Sequence, residues 1–399
     1  MQYCHYFRLV SFNMLPIIVL LAALGNCNAQ NTDASTILDR ALYKPLNLLY
    51  IGGYVNTSLN YFEAEGETEG IAPTLNHLGV IAQINPFKYF NIYAEFEHNP
   101  QYNFQINNLF AQIGNKNIGL RVGYLGFPLG RYKQYHIKKT RYFVEHPLMV
   151  TTVLPGISCD AGAGVYANAG DADISNISFE INFVSGLDEN IIYTPSANTN
   201  MEMGTSKNLK ISDNNDKLMV NARLGLLQNN VFEFGASILA GSYTNRMKED
   251  PSMFTKSKKL QIYVFDVALY FNKFSIESEM VINNIELPEN ITELYASSQQ
   301  GCFIDLSYEL FKKDAFLGKR PLKIFSALRY DYADLNNGYF AITKEKINND
   351  YHKLALGLSA HLFNKTSIIL NGSYQWFSDL LGNPNKKTAG VQLGIGSYF

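Results

Sequence analysis

The chain ends in Thr388-Ala-Gly-Val-Gln-Leu-Gly-Ile-Gly-Ser-Tyr-Phe399. Every second residue back from the end reads Phe399, Ser397, Ile395, Leu393 and Val391, and between them stand Tyr398, Gly396, Gly394, Gln392 and Gly390. A period of two sends one set to each face of an extended strand, so one face is apolar and the other small or polar. Two homes suit such a strand. In a soluble sandwich the apolar face is the inside; in a transmembrane barrel it is the outside and the polar face meets a lumen.

The alternation recurs upstream. Leu354, Leu356, Leu358, Ala360 and Leu362 oppose Lys353, Ala355, Gly357, Ser359 and His361. Cys302, Ile304, Leu306, Tyr308 and Leu310 oppose Phe303, Asp305, Ser307 and Glu309, while Leu218, Val220, Ala222, Leu224 and Leu226 oppose Lys217, Asn221 and Arg223. Sixteen segments carry strand character: 48–62, 76–84, 89–98, 103–113, 117–126, 161–168, 177–186, 217–227, 231–242, 259–271, 273–284, 300–311, 321–334, 349–363, 366–377 and 387–399. Their connections alternate. Those at 85–88, 114–116, 169–176, 228–230, 272, 312–320 and 364–365 are short; those at 63–75, 127–160, 187–216, 243–258, 285–299, 335–348 and 378–386 are longer, and only 99–102 breaks the rule. Long loops at one rim and tight turns at the other predict an all-β, transmembrane antiparallel barrel with both ends of the strand set on the short-turn side, the sandwich remaining the alternative. Asn and Gly in the short turns suit the positive φ that tight hairpins need.

A net charge of −2 speaks against a nucleic-acid partner. No apolar run past the N-terminus reaches the ~20 residues of a spanning helix, so a membrane location requires a closed barrel. Arg8, the apolar stretch Met14 to Leu24 and Cys27-Asn28-Ala29 read as a signal peptide cut before Gln30, which divides the chain into 1–29, a polar leader at 30–47 and a barrel at 48–399. Asn26 fits poorly with the other option, lipidation at Cys27. Of the remaining cysteines, Cys159 is expected in a loop and Cys302 on an outward strand face, without disulfide-framework or metal spacing. Tyr330, Tyr332, Tyr374 and Trp376 are expected near strand ends on the outer face, as an interfacial girdle. No metal or cofactor motif is present: Gly162-Ala-Gly-Val-Tyr-Ala167 has a basic loop before it and a short polar turn after it, in place of the strand and helix of a dinucleotide site. His352 is the one candidate general base, and no strained nucleophile turn accompanies it, so no enzyme is expected.

Thr388–Phe399 resembles the closing strand of bacterial outer-membrane barrels, whose terminal Phe belongs to the signal read by the barrel-assembly machinery. The resemblance implies that role for Phe399, Ile395 and Leu393; Ser397 departs from it, standing where an aromatic is usual. Sixteen strands is also porin size. In general porins the third long loop folds inward, and here that position is 127–160, the longest connection. It opens Phe127-Pro-Leu-Gly-Arg-Tyr-Lys-Gln-Tyr-His-Ile-Lys-Lys-Thr-Arg-Tyr142, with Arg131, Lys133, Lys138, Lys139 and Arg141 and no acid. With Arg121, Arg223, Arg329 and Lys353 on the expected lumen face, fixed cations in a narrow path would favour anions, and guanidinium forks suit phosphate or carboxylate oxygens. The strand Ile118-Gly-Leu-Arg-Val-Gly-Tyr-Leu-Gly-Phe-Pro-Leu-Gly130, the stretch Arg141-Tyr-Phe-Val-Glu-His-Pro147 and the later Ile177-Ser-Phe-Glu-Ile-Asn-Phe-Val-Ser-Gly-Leu187 resemble the phosphate-selective porin O/P family. That resemblance implies a passive outer-membrane channel for small hydrophilic or anionic solutes, in contact with lipid, and the wider likeness to porins implies a homotrimer. Against anion preference stand Glu95, Glu97, Glu180, Asp266, Glu277, Glu279 and Asp305, which would pair with the cations across the lumen and leave a weakly selective pore. Uptake of hydrophobic substrates and a barrel hydrolase are the remaining alternatives.

Overall fold

A computed structural model describes residues 49–99, 103–135, 141–156, 159–171, 175–192, 199–201, 217–228, 231–244, 257–288, 293–316, 320–340 and 342–399. The expected signal peptide and polar leader lie outside these residues. The described chain forms sixteen strands: β1 (Leu49–Ala64), β2 (Glu67–Phe87), β3 (Phe90–Asn99), β4 (Asn103–Gly114), β5 (Ile118–Gly126), β6 (Cys159–Asp171), β7 (Ser175–Val184), β8 (Met219–Gln228), β9 (Phe232–Ser242), β10 (Lys259–Phe271), β11 (Phe274–Ile285), β12 (Ser298–Lys313), β13 (Leu322–Asp334), β14 (Asp350–Leu362), β15 (Thr366–Ser378) and β16 (Pro384–Tyr398). Each strand pairs antiparallel with its neighbours in sequence, and β1 pairs with β16, so the sheet is a closed barrel. The seam aligns Tyr54 with Tyr398 and Leu59 with Leu393. Beyond it, Phe399 and Gly53 exchange backbone hydrogen bonds of 3.0 and 3.1 Å.

The faces are those of a barrel in lipid, not of a sandwich. Leu356 is 63% exposed while Ser359, three residues on and on the other face, is 1% exposed. In β16, Val391, Leu393 and Ile395 are exposed and Gln392 is 3% exposed. Leu120, Val122, Phe179, Leu224, Phe234, Phe265 and Ile304 continue the exposed apolar belt around the wall. Its extent is far beyond the scattered apolar patches of a surface in water.

Two expectations are corrected. Residues 63–75 are not a long loop: β1 and β2 meet at a two-residue turn, Glu65-Gly66, with φ of 53° and 84°. Gly70 and Pro73 made this stretch look irregular. Pro73 aligns with Leu59 of β1, while β3 joins β2 only from Leu78 onward. Pro73 therefore sits where one side of β2 has no strand partner, the place a residue without an N–H is tolerated. The second correction is Cys159, which opens β6 and is buried, instead of lying in a loop; it and Cys302 are free thiols. Short turns took the residues expected of them: Asn272 and Asn364 adopt φ of 51° and 55°.

The expected outer aromatics gather around His352. Trp376 stacks on its ring at 5.3 Å and 9°, and the Tyr332 ring lies 5.2 Å away. The Tyr330 hydroxyl and Asp350 are hydrogen-bonded to its two nitrogens, at 2.8 and 3.0 Å. His352 thus shares a face with Leu354 and Leu356. The outward apolar belt predicts that Leu356→Arg lowers folding stability in lipid vesicles by about 2–4 kcal/mol. A shift in the denaturant midpoint reads this, and an unchanged midpoint would place that face in water.

Candidate functional site

Chemistry concentrates on the inner face, where the connection between β5 and β6 meets the wall. This connection holds two short helices, α1 (Gly130–Gln134) and α2 (Leu148–Thr152). In α1 the Arg131 guanidinium donates to Glu233 of β9 at 2.8 Å, to Glu277 of β11 at 2.6 Å and to the Tyr270 hydroxyl of β10 at 2.5 Å. The backbone N–H of Gly130 donates to the Ser237 hydroxyl at 3.1 Å, and that of Tyr132 to Glu279 at 2.9 Å. One turn of helix is thereby fixed to three consecutive strands.

The second half of the connection meets β11 and β13–β15. The N–H of Val144 donates to Asn371, that of Leu148 to Asp331, and Asn283 donates to the Val153 carbonyl, at 3.1, 3.2 and 2.8 Å. Glu145 forms an ion pair with Lys353 through its carboxylate and accepts from Arg329 through its carbonyl at 3.0 Å. Close approach explains two strand glycines. A Cβ at Gly357 would stand 2.6 Å from the Tyr142 carbonyl oxygen, and one at Gly301 would stand 2.7 Å from the Met149 Cβ. Opposite, His146 reaches β2: its Nε2 lies 2.8 Å from Nε2 of His77, whose Nδ1 is 2.5 Å from Glu97. Tyr132 contacts the other His146 nitrogen at 3.0 Å.

Apolar contacts complete the arrangement. Phe127, Leu129, Met149, Val153 and Leu154 are buried with Met219, Leu239, Leu260, Ile262, Val264 and Val281 from β8–β11. Sequence reasoning missed this packing, although β10 carried a sign of it. Leu260, Ile262 and Val264 on the inner face alternate with Tyr263, Phe265 and Val267 on the outer one. A strand apolar on both faces is covered on both.

The residues expected along an anion path are placed as follows. Arg121 pairs with Glu180 at 3.2 Å and lies between the Phe110 and Tyr166 rings. Arg223 makes a fork with Asp266 at 2.5 and 2.8 Å, and Arg329 one with Asp305 at 2.6 Å on both arms. Arg131 has Glu233 and Glu277. Lys133 donates to the Pro155 carbonyl, and burial pushes its ammonium down to about 8, against which Glu279 works. Arg141 hydrogen-bonds with Tyr398 and faces Glu97. Lys138, Lys139 and His136 lie outside the described residues. Phe399, Ile395 and Leu393 line the outer side of the seam, separate from the charged interior. Of the acids expected as counter-charges, Glu180, Asp266, Glu277 and Asp305 do pair with these arginines; Glu233 was not foreseen. Among the described residues no group of His, Cys, Asp or Glu is arranged to hold a metal.

No family model matches the chain, and no curated protein matches its sequence. Solved structures do. The anion-selective porin from Comamonas acidovorans is similar with a TM-score of 0.55 at 10% identity, over 88% of this chain and 99% of that one. The chain has a porin fold. OmpF of Salmonella typhi, in complex with daunomycin, is similar at 0.52 and 12% identity, and the DcaP channel of Acinetobacter baumannii at 0.50 and 10%, each over 88% of this chain and 97% of the other. At such identities the likeness speaks for the porin fold and for no particular solute.

Two outcomes follow from the geometry. Glu277→Gln leaves Arg131 buried with Glu233 as its remaining counter-charge, a loss of about 1.5–3 kcal/mol, readable as a lower denaturation midpoint. The second concerns pH. Burial first, then His77 and Arg141, hold the His146 ring well below its ordinary 6.5. A released His146 takes up a proton before the bound one does, so its contribution is present above 6.5 and is lost as pH falls below it. Protection against hydrogen exchange at 141–156, corrected for the intrinsic slowing of exchange in acid, should therefore fall on acidification, and His146→Phe should flatten that dependence.

Proposed function

We propose that this chain is an outer-membrane channel for passive diffusion of small hydrophilic solutes, with the connection at 127–158 folded into the lumen as its narrowest part. The observation that carries this reading is the inversion of faces in a closed sixteen-strand barrel, apolar outward and charged inward. A barrel of that size leaves an aqueous interior. Contacts of one connection with β2 on one side and β9–β15 on the other support its role as the constriction. The same reading takes residues 1–29 as a cleaved signal peptide, takes Phe399, Ile395 and Leu393 as the assembly signal, and assigns the chain no enzymatic activity. A homotrimer rests on analogy of fold alone.

Selectivity follows from how the cations are used. Preference for anions or phosphate needs positive charge in excess of its counter-charge along the path. Arg121, Arg131, Arg223 and Arg329 each have an acid partner, so weak selectivity is favoured over the anion preference that the basic connection suggests. The Comamonas porin is anion-selective, and a 10% identical neighbour does not transfer that property.

Reconstitution in planar bilayers across a KCl gradient tests both levels. Conductance with a reversal potential close to zero is expected. Reversal near the chloride potential, abolished by neutralising Arg131, Lys133, Lys138, Lys139 and Arg141, would reinstate the anion reading, and absence of conductance in a folded barrel would remove the channel.

A further inference from the structure

The short connections form the rim opposite the long loops, and cations predominate among their described residues. Their described residues include Lys88, Lys116, Lys273, Arg320 and Lys365, against one acid, Asp314. Asp314 is already held by Lys312 at 3.1 Å; of the further acids at this rim, Asp171 ends β6, Glu233 stands second in β9, Glu309 has its backbone beside Lys273, and Asp173 lies outside the described residues. None of the five cations has a carboxylate within ion-pair distance among the described residues. The other rim differs: the tip of the β1–β2 hairpin exposes Glu63, Glu65 and Glu67.

Beside these cations the outer wall ends in large exposed apolar side chains. Phe87 and Tyr89 flank Lys88, Ile113 and Ile118 flank Lys116, and Phe271 precedes Lys273. Rings lie under three of the charges near these turns: Tyr89 under Lys88 at 5.1 Å, Phe363 under Arg320 at 5.3 Å and Phe316 under Lys313 at 6.0 Å. The order along the wall is therefore aliphatic belt, aromatic edge, unneutralised cation. An anionic phospholipid presents the same order, with acyl chains, a glycerol-ester zone and a phosphate diester.

We propose that this rim is a docking surface for anionic phospholipid in the leaflet that meets the short turns, recognised through its phosphate diester. A soluble polyanion would meet the same cations and make no use of the apolar edge, so the lipid is the occupant the surface fits. The proposal rests on the barrel standing in a bilayer, and not on its conducting.

The test uses the full mature barrel in nanodiscs of phosphatidylcholine doped with phosphatidylglycerol, with co-purified lipid measured by mass spectrometry. Enrichment of phosphatidylglycerol over the bulk ratio, weakened by salt, is expected. A Lys88→Gln, Lys273→Gln, Arg320→Gln, Lys365→Gln variant should lose at least about fivefold of that enrichment, roughly what one surface cation contributes. Folding of the variant is checked by its mobility on unboiled gels. Should it fail to fold, the wild-type comparison decides alone: equal retention of the two lipids overturns the proposal. Enrichment untouched by the substitutions in a folded variant overturns it too, as does a rim that binds soluble heparin but shows no lipid preference. A folded barrel that enriches the anionic lipid and does not conduct would remove the channel reading and leave the docking surface in place.

Discussion

Closure is the constraint on which the rest depends. In hydrocarbon no water is available to an unpaired strand, so a sheet that crosses a membrane has to satisfy every backbone group within itself. Here the requirement falls on β1 and β16, the elements furthest apart in sequence, which align over eleven residue pairs from Tyr54–Tyr398 to Ala64–Thr388. A slip of one residue at this seam would exchange the faces of Leu393 and Gln392, setting an amide in lipid and an aliphatic chain in the interior. Alternation along β16 is thus more than a strand signature. It fixes the register of the last ladder, and with it the faces of the barrel.

Once closed, the wall must keep its interior polar without stranding charge. Taking a guanidinium out of water is costly, and a carboxylate fork repays it only with good geometry. The interior meets this condition pairwise. Arg329 and Asp305 are cross-strand neighbours on β13 and β12, so the strand register itself brings them together. Arg131 comes from a different part of the chain and closes on acids of β9 and β11. The first kind of pair rigidifies the wall; the second attaches the connection to it. Around His146 hydrogen bonds to His77 and Tyr132 do the same work, and the Nε2-to-Nε2 contact requires one of the two rings to accept.

Most of the wall was legible in the sequence because period two and turn chemistry are local properties. All sixteen strands fall where alternation put them, the ends shifting by a few residues except at the start of β2. There Gly70 and Pro73 imitate a loop, since a sequence does not show that β3 is too short to use that side of β2. Partner choice was less legible. Arg131 and Glu277 are 146 positions apart, and Glu233 enters only because α1 brings Arg131 to β9. A list of basic residues in a connection carries no information about which acids it will meet. The double-faced apolar run of β10 did carry such information, showing that something other than water lies against its inner side.

Pairing also bears on what a fixed charge can do in a pore. An isolated guanidinium projects a field that reaches a passing ion over roughly a Debye length, about 8 Å at physiological salt. Held in a fork with a carboxylate at 2.6 Å, as Arg329 is by Asp305, it projects mainly a dipole, which fades faster with distance and changes sign with direction. The same side chain cannot serve in full both as the anchor of a buried connection and as a bare attractor of anions. Arg131 is committed to anchoring by three side-chain partners on three strands. In the proposed channel its charge would hold the shape of the path, and shape, more than sign, would then be what the interior offers a solute.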